Sequence, residues 1–86
     1  MIVPLDLAAA NAYFTTRHQP PVANALFCIG LEEGEQVVGA IAMDTTGTDA
    51  LRLARVCSDG STGGYTTLYG AAWRAAKALG YKAIVI

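Results

Sequence analysis

The sequence holds few of the residues that staple a small fold or usually carry chemistry: two cysteines, one histidine, one tryptophan and three prolines among 86 residues. Cys28 and Cys57 are far apart and each stands in an apolar run, so neither a CxxC metal pair nor a small disulfide scaffold is supported, and no metal site is expected. Both are expected as reduced, buried thiols. Charged residues make up only 15% and the formal net charge is -1. No global electrostatic argument therefore points to DNA, RNA or an anionic membrane. No apolar run approaches the roughly 20 residues that a membrane span requires, and Met1 to Asp6 lack a basic leader, so a cytoplasmic location is expected. What is abundant is apolar: 53% of the residues. That excludes a disordered or collagen-like chain and favours one globular domain with a modest core and a surface in need of a partner.

The charges are unevenly placed. Asp6, Glu32, Glu33, Glu35, Asp44 and Asp49 stand with Arg17 in residues 1 to 50, while Arg52, Arg55, Arg74, Lys77 and Lys82 stand with Asp59 in the remainder. An anionic ligand is expected on the C-terminal part. Asp6 is a good N-cap for a helix from Leu7 to Thr16, in which Leu7, Ala10 and Phe14 share one face, and Gln19-Pro20-Pro21 stops it. Ala25 to Leu31 and Gln36 to Met43 flank the acidic turn Glu32-Glu33-Gly34-Glu35 and read as an antiparallel hairpin, apolar on both faces and so covered on both. Ala50 to Cys57 is a third strand in which Leu51, Leu53 and Cys57 alternate with Arg52 and Ala54. A second helix follows, with Tyr65, Leu68, Ala72, Ala75 and Leu79 at helical spacing and Gly80 as its stop. Tyr81 to Ile86 reads as a last strand, parallel to its predecessor because a helix joins the two. With a short strand at the N-terminus, the fold class expected is α/β (α+β): a mixed, mostly antiparallel sheet of about five strands with two helices. A bare apolar strand at the end points to truncation or to pairing with another subunit.

The stretch richest in chemical meaning is strand, Gly-containing loop, helix: Leu51 to Cys57, Ser58 to Gly64, then Tyr65 onward. A helix start leaves N–H groups unpaired and carries partial positive charge, so it can hold a phosphate where glycine lets the backbone approach. Gly60, Gly63 and Gly64 offer that approach, Ser61 and Thr62 offer hydroxyls, and Arg55 or Arg74 offers charge. A capped strand-to-helix connection is the plainer alternative. The loop is neither a P-loop, since no Lys-Ser/Thr follows the glycines, nor a GxGxxG turn.

Arg55-Val-Cys-Ser-Asp-Gly60, followed by Leu68-Tyr-Gly-Ala-Ala-Trp-Arg-Ala-Ala-Lys-Ala-Leu-Gly-Tyr81, resembles a phage and prophage family of GNAT-like proteins. Ala10-Asn11-Ala12-Tyr13, Arg17-His18 and Pro20-Pro21-Val22 are similar to the same family's N-terminal segment. The resemblance implies a GNAT fold lacking its C-terminal helix and strands, with acetyl-CoA as acyl donor and an amine as acceptor. It implies that the strand ending at Val56 and Cys57 splays from the strand starting at Tyr81, that pantetheine lies in the cleft, and that pyrophosphate sits on Ser58, Gly60, Ser61, Thr62, Gly63, Gly64 and Tyr65. Tyr65 stands where the family's loop pattern has a small residue, and the loop arginine or glutamine is missing.

Acylation of an amine needs a group to take its proton. His18, at the end of the first helix, and Asp59 are the candidates, each with a plainer alternative as a helix-end residue and a turn former. Cys57 as a nucleophile has no evident partner, and Tyr13, Tyr65, Tyr69 and Trp73 either line a pocket or pack. Three functional readings follow: an acyl-CoA-binding, acyl-transferring domain; a noncatalytic module that self-associates as a homodimer through Tyr81 to Ile86; and a nucleic-acid modifier, suggested by the basic C-terminal part and recognisable by salt-sensitive DNA binding.

Overall fold

The computed structural model describes residues 1–60 and 63–86. The described chain runs β1 (Ile2–Leu5), α1 (Leu7–Thr16), β2 (Phe27–Glu33), β3 (Gln36–Thr45), β4 (Ala50–Ser58), α2 (Gly64–Ala78) and β5 (Ala83–Val85). The strands form one sheet in the order β1-β2-β3-β4-β5, antiparallel throughout except for the parallel pair β4 and β5. This is the expected α+β architecture of five strands and two helices. The β2–β3 hairpin is tighter than the acidic cluster suggests: Glu33 pairs with Gln36, so Gly34 and Glu35 alone make the turn, with Gly34 at φ 64° where a side chain would be strained. Asp6 caps α1 as expected, its Oδ1 accepting from the Ala9 N–H at 2.7 Å.

Side chains alternate across the sheet and give each face to one helix. Ile29, Leu31, Ile41, Met43 and Leu51 meet α2 through Leu68, Ala71, Ala72 and Ala76. Cys28, Ala40, Ala42 and Cys57 meet α1 through Ala10, Tyr13 and Phe14. Large and small residues are thus exchanged between layers: a sheet face of large aliphatics receives a helix of alanines, and a face of small residues receives a helix with two aromatics. Both arrangements let backbones approach while filling the space. The spacing argument picked the α2 face imperfectly, because Tyr65 and Leu79 are exposed while Ala71 and Ala76 are buried.

Strict alternation along β4 fails too. Met43 pairs with Leu53 and Ala42 with Arg55, which leaves Ala54 as an extra residue, a β-bulge. The bulge reverses the phase, so Leu51, Leu53 and Val56 belong with the α2 layer, whereas Ala54 and Cys57 belong with the α1 layer. Leu51 and Cys57 therefore face opposite ways, against the sequence expectation. The two thiols share the α1 face but stand on β2 and β4 with β3 between them. Strands two apart are separated by about 10 Å, too far for a disulfide.

Candidate functional site

The candidate site is built where β4 ends. β5 pairs only with Ala50, Leu51 and Arg52, and β4 then runs on to Ser58 with that edge uncovered among the described residues. The Asp59 N–H donates to the Val38 carbonyl at 2.9 Å, continuing the β3–β4 ladder. Peptide groups in an antiparallel pair alternate in direction. Counting back from Asp59, the peptide groups of Cys57 and Arg55 face β3, and those of Ser58 and Val56 face the uncovered edge. Two consecutive outward peptides beyond a bulge are a template for an extended amide-bearing ligand.

Beyond β4 the chain turns into α2 through Gly60 (φ 92°) and Gly63 (φ 78°). Gly63 occupies the N-cap in left-handed conformation and supplies no side-chain cap, so the first-turn N–H groups of α2 have no side-chain acceptor from that position. Ser58 is buried, and its Oγ has no hydrogen-bond partner among the described residues. It lies 2.5 Å from where a Cβ on Gly64 would stand, directed at the first turn of α2. Tyr65 is 45% exposed beside it. Ser61 and Thr62, the two expected hydroxyl donors, lie outside the described residues. Neither arginine supplies charge to this turn: Arg55 faces the α1 layer, and Arg74 lies along α2 beside Gly70.

On the α1 side, Tyr13 donates its O–H to the same Val38 carbonyl at 2.8 Å. Burial raises the Tyr13 pKa above its ordinary 10.0, and nearby Cys57 adds to the rise; Arg17 opposes it, while Asp59 and Tyr65 push weakly upward. The shared Val38 carbonyl thus brings the C-terminal half of α1 to the end of β4. The segment after α1 is fixed there by two devices. Asn11 clamps it, its amide nitrogen donating to the Val22 carbonyl at 2.9 Å and its Oδ1 accepting from the Val22 N–H at 2.7 Å. Arg55 Nη1 donates to Gln19 Oε1 at 3.1 Å. The sequence reading missed Asn11 as a clamp, although an asparagine within a helix ahead of a Pro-Pro stop is a recognisable signal for one.

His18 is exposed and sits at φ 60°, the one non-glycine in left-handed conformation among the described residues. Its N–H donates to the Thr15 carbonyl at 3.1 Å and the Gln19 N–H to the Phe14 carbonyl at 2.9 Å, which is the Schellman closure of α1. Glycine suits this position better. His18→Gly is expected to raise stability by about 0.5–1 kcal/mol, measured by urea denaturation, because it removes the left-handed strain. A loss of stability would mean that the imidazole makes contacts that outweigh that strain.

Among the described residues no group of three or more His, Cys, Asp or Glu could hold a metal ion, and no helix is long and apolar enough to cross a membrane. No protein-family model matches the chain, and no curated protein matches it. A solved structure does: a protein of unknown function from meticillin-resistant Staphylococcus aureus, described as a probable acetyltransferase, aligns with a TM-score of 0.66 over 100% of this chain and 79% of its own, at 12% identity. At that identity the likeness establishes a shared fold.

Proposed function

We propose that this chain binds acyl-CoA as a substrate and serves N-acyl transfer on a GNAT-like fold. The observation that carries the reading is β4, bulged at Ala54 and uncovered along one edge, leading into a glycine turn and the start of a 15-residue helix. The residues suit the donor. The outward peptides of Val56 and Ser58 can pair with pantetheine amides and orient the thioester. Gly60 and Gly63 leave open space before α2 for pyrophosphate, Gly64 lets Ser58 Oγ approach the first turn, and that hydroxyl has no partner among the described residues. Transfer requires the acceptor nitrogen to attack the thioester carbon, the C–S bond to break and the displaced proton to reach the thiolate, with Asp59 or His18 as carrier. Acyl-CoA use would place the chain in the cytoplasm. The resemblance to phage and prophage GNAT-like proteins, and the fold of a probable acetyltransferase, support the same reading.

Calorimetric titration with acetyl-CoA, and with dephosphorylated pantetheine analogues in parallel, tests it. Saturable binding that needs the phosphates and weakens in Gly63→Val is the expected result; the absence of heat and of thermal stabilisation under excess acetyl-CoA would overturn it. Val85, exposed on a strand with one neighbour among the described residues, and Ile86, exposed just beyond it, favour a second reading, a noncatalytic module that pairs with itself. A concentration-dependent dimer without affinity for acetyl-CoA, seen by sedimentation, would select that reading.

A further inference from the structure

Arg55 stands apart from the other strand cation and from the lysine that leads into β5. Arg52 pairs with Asp44 at 3.3 Å and Lys82 with Asp49 at 3.9 Å, all at the surface. Arg55 is half-buried, and no carboxylate pairs with it among the described residues. Among the described residues its one side-chain hydrogen bond goes to a neutral amide oxygen, that of Gln19, and its Nε is sealed from water with no acceptor. The Nη1 end of the group is at the surface, so the cost lies at Nε, a buried donor without an acceptor.

The geometry of the group says what would relieve it. Gln19 takes Nη1, which leaves the edge formed by Nε and Nη2. The two N–H bonds on that edge run parallel and match the two oxygens of a carboxylate. Binding there requires that edge to turn outward, while the Asn11 clamp holds the segment that follows Gln19. Arg55 also immediately precedes Val56, whose peptide faces the uncovered edge of β4. We propose that Arg55 is a specificity residue that binds the carboxylate of the acceptor, so that the acceptor is an amino acid or a similarly small amino-carboxylate. Anchored at Arg55, such a molecule carries its amine within a few bonds of the carboxylate, toward the edge where the thioester would lie. The carboxylate site stands on the geometry of Arg55; its assignment to the acceptor rests on the acyl-transfer reading.

Two measurements on the full chain separate these parts. In the first, the arginine Nε–H resonances are followed by NMR during titration with sodium acetate, against sodium chloride and sodium phosphate at equal ionic strength. The Arg55 signal is assigned by its loss in Arg55→Lys, or by side-chain correlations where that variant does not fold. A saturable shift of that signal with acetate, larger than with phosphate, is expected; no shift, or a larger one with phosphate, overturns the carboxylate site. In the second, the common amino acids and their carboxamides are offered with acetyl-CoA and the acylated products are quantified by mass spectrometry. The carboxylates are expected to be favoured by roughly ten- to a hundredfold in kcat/KM, the range for a charge-assisted hydrogen-bonded pair. That preference should vanish in Arg55→Gln and persist in part in Arg55→Lys. Transfer indifferent to the carboxylate would refute the inference and leave the acyl-transfer reading intact. An acetate response without transfer to any of the amino acids or carboxamides would retain the carboxylate site and refute its assignment to the acceptor, while acetyl-CoA binding decides the acyl-transfer reading separately.

Discussion

Phe14→Ala should leave the chain barely folded, with a loss of about 3–5 kcal/mol from a total that for a domain of this size is roughly 5–10 kcal/mol. Phe14 is completely buried and is the largest fully buried side chain that α1 inserts into the sheet. Its surroundings cannot collapse around the space it vacates. The facing residues Cys28, Ala40, Ala42 and Cys57 are short, and the strands that carry them are braced from behind by the α2 layer. Tyr13 cannot swing in either, because its hydroxyl is held by the Val38 carbonyl. Urea denaturation followed by far-ultraviolet circular dichroism measures the effect, with the half-buried Leu7→Ala as a comparison expected to lose much less. A loss for Phe14→Ala below about 1 kcal/mol would mean that α1 is held chiefly by its caps and its Asn11 clamp rather than by its aromatic anchor.

Much of this fold could be read from local patterns. The order of elements, the hairpin, the Asp6 cap, the parallel last strand and the termination of α1 all depend on signals confined to a few neighbouring residues, and the structure carries each of them. What could not be read depends on residues distant in sequence. Ala71 and Ala76 are buried while Tyr65 and Leu79 are exposed because the sheet offers α2 a surface of Ile, Leu and Met that only small residues can approach closely; alanine itself carries no preference that periodicity can detect. The bulge at Ala54 is a property of pairing with β3, and without it Arg55 would be assigned to the wrong layer. His18 was legible both as a candidate base and as a helix-end residue, and its left-handed backbone closes α1, a turn normally made by glycine. Of the candidate site, the glycine-containing turn between β4 and α2 was legible as a turn that opens a helix. The Ser58 hydroxyl and the Arg55 Nε, which find no partner among the described residues, and the outward Val56 and Ser58 peptides were not, because such groups appear only once their neighbours are in place.

Leu68→Ala should separate the seating of α2 from its chemistry. Leu68 is completely buried and is the one large buried side chain on α2, whose other buried positions are Gly64, Ala71, Ala72 and Ala76. It fits over Gly39: a Cβ there would lie 3.0 Å from Leu68 Cδ1 and 3.4 Å from the Cys57 carbonyl oxygen. The expected loss is about 2–5 kcal/mol, and acetyl-CoA binding should weaken with it, since the start of α2 forms one wall of the proposed donor site. A double-mutant cycle with Gly39→Ala identifies the contact responsible. In the native background the added methyl crowds Leu68 and should cost about 1–3 kcal/mol. In Leu68→Ala the methyl's tightest contact is gone, those with the Cys57 carbonyl oxygen and Leu31 Cβ staying at 3.4 and 3.6 Å, and it should cost less, a coupling of at least about 0.5 kcal/mol. Strict additivity would show that α2 does not seat in the Gly39 dimple. If the coupling appears and the folded fraction of Leu68→Ala still binds acetyl-CoA undiminished, the β4 edge, and not the start of α2, holds the donor.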